Sequence, residues 1–127
     1  MAENKEYYTQ EMENGSIQIS EDVVASVTGM AVLEGEGVCG LSSSIGTDIA
    51  EMLGMKTLSK GVRLSTTETG ALRIDCDVVS KFGQNIFELA KNVQENVKSS
   101  VESVTGLRVA EVNVTVCGIA LPKDSKK

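Results

Sequence analysis

Three cysteines and one cluster of glycines are the residues of this chain with the widest choice of chemistry. Cys39, Cys76 and Cys117 form no CxxC pair, and an odd count does not describe a disulfide framework. A metal cluster of three thiolates would need all of them to converge, and nothing in their spacing resembles a zinc site. There is no histidine, so a Cys–His dyad or a His-containing metal site within one chain is excluded. A thiol enzyme using Cys39 or Cys117 would need a lysine, an aspartate or a helix terminus to lower the thiol pKa, and no such arrangement is visible. Gly35-Glu36-Gly37-Val38-Cys39-Gly40 spells G-x-G-x-x-G, the dinucleotide fingerprint. That chemistry requires a strand before the glycines and a helix after them, so that helix N–H groups meet the pyrophosphate. Here a helical pattern precedes the glycines, and the next begins only near Ser44 to Thr47. A turn leading into a short strand is preferred, and no residue is assigned to catalysis, cofactor binding or metal binding.

The elements around these residues are clearer than any site. Ile86, Ala90, Val93, Val97, Val101 and Val104 recur at helical spacing and predict a long helix with that face buried. Its other face carries Glu88, Lys91, Glu95, Lys98 and Glu102, where Lys91 with Glu95 and Lys98 with Glu102 can pair across one turn. Asn85 with Glu88 supplies the opening cap and Gly106 the left-handed stop. So many β-branched valines lower intrinsic helicity and make this helix depend on a sheet to pack against. The following strand alternates Val112, Val114 and Val116 with polar residues. Leu107 and Val109 have the opposite parity, which a β-bulge near Ala110 would reconcile; alternatively they belong to the turn.

Upstream, Ile17 and Ile19 predict a short strand, and Ser20 caps a helix whose expected buried face is Val23, Val24, Val27, Met30, Ala31 and Leu33. Gly29 inside that helix costs about 1 kcal/mol relative to alanine. Val62 and Leu64 open a hairpin that turns at Glu68-Thr69-Gly70 and returns along Leu72 to Val78, where Cys76 shares the apolar parity and reads as core. Cys117 has the polar parity of its strand. Between Leu41 and Lys60 a small amphipathic segment, Ile45, Ile49, Met52 and Leu53, reads as a short helix ended by Gly54. It is the leading interaction surface, or else a helix that covers the sheet. Residues 1–14 read as a flexible acidic tail in which Tyr7-Tyr8 is a docking element or part of a mobile terminus, 15–121 as the domain, and 122–127 as a flexible basic tail. The order of elements predicts an α+β fold: a small mixed or antiparallel sheet with two main helices packed on one face and a short inserted helix.

Bulk properties narrow the function classes. A chain of 127 residues fits one core. With two Tyr, two Phe and no Trp, that core is aliphatic. A net charge of -6 works against non-specific binding to nucleic acid or an anionic bilayer. The longest nearly apolar run, Val23 to Leu33, is about half the roughly 20 residues of a membrane helix. The N-terminal segment lacks a basic leader and an apolar signal core, which predicts a cytoplasmic location.

The segment VQENVKSSVESVTGLRVAEVNVTVCGI, from Val93 to Ile119, resembles the signature of the alkaline shock protein family. GVCGLSSSIGTDIAEMLGMKTLSKGV, from Gly37 to Val62, is similar to that family's central glycine-rich segment, and IQISEDVVASVTGMAVLEGEGV precedes it in the family's order. The resemblance covers about residues 16 to 118. It implies a non-enzymatic envelope stress response protein of Gram-positive bacteria with no established catalytic residues. It further implies a self-associating scaffold, a homo-oligomer, recruited to the inner face of the cell membrane through a membrane-anchoring protein partner. Neither direct membrane insertion nor nucleic-acid binding is expected. The alternative is a small-ligand or nucleic-acid-binding α+β module, against whose nucleic-acid form the acidic surface argues.

Overall fold

The computed structural model describes residues 7–41 and 61–121. The chain runs β1 (Tyr7–Met12), β2 (Gly15–Ser20), α1 (Glu21–Leu33), β3 (Val38–Leu41), β4 (Val62–Thr66), β5 (Leu72–Lys81), α2 (Ile86–Thr105) and β6 (Val109–Ala120). It is a mixed α+β fold. The inserted amphipathic segment around Ile45 to Leu53, and the ends 1–6 and 122–127, lie outside the described residues.

The centre of the main sheet is β5. Strand β6 pairs with it in parallel from Leu72 to Lys81. On the opposite edge β4 pairs antiparallel with Leu72 to Cys76 and β3 with Val78 to Ser80, so those two short strands lie end to end. A parallel pair cannot be joined by a tight turn, and α2 is the crossover that joins β5 to β6. The β4–β5 hairpin closes through Gly70, at φ 87°, which donates to Thr67 O at 3.0 Å.

Residues 7–14 correct the expectation of a flexible tail. Tyr7–Met12 forms a strand in register with Gly15–Ser20, from Tyr7 opposite Ser20 to Met12 opposite Gly15. Tyr8 and Ile19 are half-buried against the core, and Gln10 donates to Gly106 O at 3.2 Å, tying the hairpin to the end of α2. The acidic residues of this stretch mask an alternation carried by Tyr8 and Gln10. The Asn14-Gly15 step was the available turn signal.

The caps form where expected. Val23 N–H donates to Ser20 Oγ at 3.2 Å and Glu88 N–H to Asn85 Oδ1 at 3.1 Å. Gly106, at φ 78°, ends α2 by donating to Glu102 O at 3.0 Å. The bulge at Ala110 is also present: the register passes from Leu72–Val109 to Arg73–Glu111, leaving Ala110 as the extra residue, so Val109 and Val112 are both buried. A second shift leaves Cys117 extra, between Val78–Val116 and Val79–Gly118.

Both helix faces are buried at their centres as expected, Val93, Val97 and Val101 on α2 and Val24 and Ala31 on α1, and are rotated only at their margins. In α2 the buried residues are Leu89, Val93, Val97, Val101 and Thr105, a strict four-residue row. Ala90 is half-buried, as is Ile86, and Val104 is 65% exposed. In α1, Val24, Ala31 and Val32 enter the core while Val23 and Met30 are 40% and 52% exposed. At the margins α2 buries Leu89 and Thr105 rather than Val104, and α1 buries small side chains (Ala25, Ser26, Thr28, Gly29), which allow close approach there, rather than Val23 and Met30. Thr28 and Thr105 satisfy their buried hydroxyls on the carbonyls of Val24 and Val101, at 2.9 and 2.6 Å. One apolar cluster then joins Val93, Val97 and Val101 to Leu72, Ile74 and Val78 of β5. Each such side chain contributes roughly 1.5 to 3 kcal/mol.

Candidate interaction site

The residues with potential chemistry are kept apart. Cys76 is fully buried among the apolar residues of β5. Burial first, then the neighbouring Asp75 and Asp77, pushes its thiol up to about 12, so it stays protonated and unreactive. Cys39 and Cys117 are exposed on different strands, and Cys117 Sγ lies 3.4 Å from Val78 O. Among the described residues no group of three or more His, Cys, Asp or Glu is arranged to hold a metal. The glycine fingerprint runs from the end of α1 into β3, so a helix stands before it where a strand is required, and its last three residues are strand. Gly37, at φ 86°, has the Gln84 side chain where a Cβ would stand, and its carbonyl accepts the Lys81 N–H at 2.8 Å. These glycines fix a turn.

The odd-numbered residues of β5 carry a polar network. Arg63 grips Asp77 with two hydrogen bonds, at 2.8 and 3.2 Å. That grip holds the Asp77 carboxyl below the usual carboxylate range. Arg73 pairs with Glu111 at 3.0 Å, and Asn113 donates to both Asp75 and Glu111, at 2.9 and 3.1 Å. Asn113, then Arg73, lowers the Glu111 pKa. Among the described residues of this network the acids and bases engage one another laterally.

The apolar residues that the rotated faces leave outside come together instead. Val27, Met30, Ala31 and Glu34 of the α1 side and Ser100 and Val104 of α2 line a groove of about 250 Å³ between the two helices. Glu34 is its one charged member. Periodicity assigns Val27, Met30 and Val104 to the interior, and no sequence signal distinguishes them from core valines. Met30 and Val104 are left outside where small residues of α1 form its contact face, while Val27 is half-buried against the core.

The chain is thus a small α+β domain with an apolar groove between its two helices. Comparison with known proteins gives the family: residues 9–121 match the model of the alkaline shock protein 23 family, described as having a cell envelope-related function. The chain is 37% identical over 108 residues to the uncharacterized protein Spy1614 of Streptococcus pyogenes, covering 84% of this chain and 88% of that one. It is 36% identical over 107 residues to YloU of Bacillus subtilis, covering 83% and 88%, and 30% identical over 105 residues to YqhY of the same species, covering 83% and 77%. No solved structure matches. The chain therefore belongs to the alkaline shock protein family, with relatives in Gram-positive bacteria. Among the described residues, no helix is long and apolar enough to cross a membrane.

Proposed function

We propose that this protein is a non-enzymatic envelope stress response component, a self-associating scaffold held at the cytoplasmic face of the membrane by a protein partner. The observation that carries the proposal is the α1–α2 groove, whose Met30 and Val104 are exposed although their types suit a core. Its occupant is an amphipathic helix of the membrane-anchoring partner. The groove offers an apolar stripe with one carboxylate at its rim, and it takes a helix with apolar residues at i, i+3 and i+4 and a basic residue to meet Glu34. In the same proposal both helices lie over one face of the main sheet, with the inserted helix expected at Ile45 to Leu53 as a further cover.

Partner dependence has a direct test. Purified protein floated with anionic liposomes should stay in the soluble fraction, since a net charge of -6 repels such a surface. The same protein added to membranes from its own cells should sediment with them. Tight binding to protein-free liposomes contradicts the proposal and makes this a lipid-binding protein.

A further inference from the structure

Of the chain's asparagines, Asn14 alone is followed by glycine; the others precede Lys5, Ile86, Val93, Val97 and Val114. The neighbour matters because the main-chain nitrogen of the next residue can attack an asparagine side chain and close a five-membered imide. A side chain on that next residue, above all a β-branched one, crowds the attack, and glycine has none. Glu13 and Asn14 form the loop of the β1–β2 hairpin, between the paired Met12 and Gly15. Both Asn14 and Gly15 are exposed. Gly15 is at φ 138°, and among the described residues no atom lies within 4 Å of where its Cβ would stand. Room is therefore left for the Asn14 amide to swing over the Gly15 nitrogen.

We infer that Asn14-Gly15 is a site of spontaneous deamidation, and that its conversion loosens the β1–β2 hairpin from the end of α2. The Gly15 N–H gives its proton to hydroxide, and the nitrogen bonds to Asn14 Cγ as the Cγ–Nδ2 bond breaks and ammonia leaves. Water then opens the imide at either carbonyl. Opening at Cγ yields aspartate. Opening at the main-chain carbonyl of residue 14 yields isoaspartate, in which the chain runs through Cγ and the former backbone carbonyl becomes a free carboxylate. Both products add a carboxylate to a turn that already carries Glu11 and Glu13, and make the net charge one unit more negative than -6. The isoaspartyl form also lengthens the backbone of the hairpin loop by one carbon. Hairpin register is set by loop length, so the ladder from Tyr7–Ser20 to Met12–Gly15 is disturbed from its closed end. This hairpin is a two-stranded sheet of its own, and such a pair is marginal without outside support. Gln10, donating to Gly106 O at 3.2 Å, and the packing of Tyr8 and Ile19 tie it to the body. Its loop end is weakly held, with Met12 and Ile17 53% and 51% exposed.

Peptide mapping of the full chain, aged near neutral pH and in a more alkaline buffer, tests the inference. Trypsin releases Asn14 on a fragment that carries no other asparagine. That fragment should gain about 1 Da, the difference between OH and NH2, before any other asparagine-bearing fragment does. Because the ionised fraction of the Gly15 nitrogen follows hydroxide, conversion should speed up about tenfold per pH unit. Hydrogen exchange of the aged protein should show protection lost over residues 7–20 and kept in α2 and β5. The Asn14→Ser variant has no side-chain amide to close the imide, and should keep its hairpin protection at the same age. Conversion of other asparagines ahead of Asn14, or a rate that does not change with pH, overturns the assignment of the site. A converted protein whose hairpin is as protected as in the unaged protein, or an Asn14→Ser hairpin that loosens on the same schedule as the parent, overturns its effect on the hairpin.

Discussion

Val101 and Val104 lie three residues apart on one helix, are chemically identical and are both expected inside from their spacing, yet the structure buries the first completely and leaves the second 65% exposed. Val101→Ala and Val104→Ala therefore isolate burial. Both gain the same helix propensity, about 0.5 kcal/mol in favour of alanine, so the difference between them cancels it. At Val101 two buried carbons are lost, about 1.6 kcal/mol of transfer free energy at about 0.8 per carbon. A cavity of about 40 Å³ adds about 1 kcal/mol. The net cost, after the propensity gain, is about 2 kcal/mol at Val101. At Val104 it is about zero, or a slight stabilisation. In a domain of this size about 2 kcal/mol lowers Tm by roughly 6 to 12 °C. Urea unfolding gives the free energies directly, provided the slope is unchanged. Equal losses for the two variants, or a larger one for Val104→Ala, would refute the rotated face and with it the groove that Val104 lines.

Further predictions concern other parts of the fold. Gly106→Val should cost about 1 to 2 kcal/mol at φ 78°, more than Gly106→Ala, as read by thermal melts. Native protein should expose two of its three thiols to an aromatic disulfide reagent at pH 8. The third, Cys76, should react only on unfolding, since its pKa of about 12 keeps it protonated. Asp77, lowered by Arg63, binds its proton less readily folded than unfolded. Its pairing thus adds stability above the unfolded value of about 3.9, and that contribution is lost as pH falls through the lower folded value. Arg63 is largely exposed, so the pair contributes less than about 1 kcal/mol. Melts of parent and Asp77→Asn should differ near neutral pH and converge in acid.

Local chemistry made much of the fold legible. Ser20, Asn85 and Gly106 mark helix ends because capping depends on a few neighbouring atoms. The slip of phase between Val109 and Val112 left a bulge near Ala110 or a turn as its two explanations, since side-chain direction has a period of two, and the strand register shows the bulge. What was not legible depends on tertiary approach. Gly29 within α1 pointed to a close approach and is buried, but periodicity alone does not weigh how small residues draw a helix in, so the exposure of Val23 and Met30 was not legible. The same limit hid the groove, which consists of residues that look like core. Lys98 and Glu102 were legible as a one-turn pair, seen at 3.1 Å. Their second role, capping the β6 edge at Val109, required knowing which strand lies beside α2.

The most direct test of the central claim is the location in the cell of the parent and of the Met30→Glu, Val104→Glu double variant, each carrying the same fluorescent tag. Both substitutions are at exposed positions, so matching thermal melts should establish that the variant is folded. The parent should outline the envelope, with a membrane protein co-purifying, and the folded variant should spread through the cell interior and lose that protein. A folded variant that remains at the envelope with the same co-purifying protein would show that the α1–α2 groove has no part in recruitment.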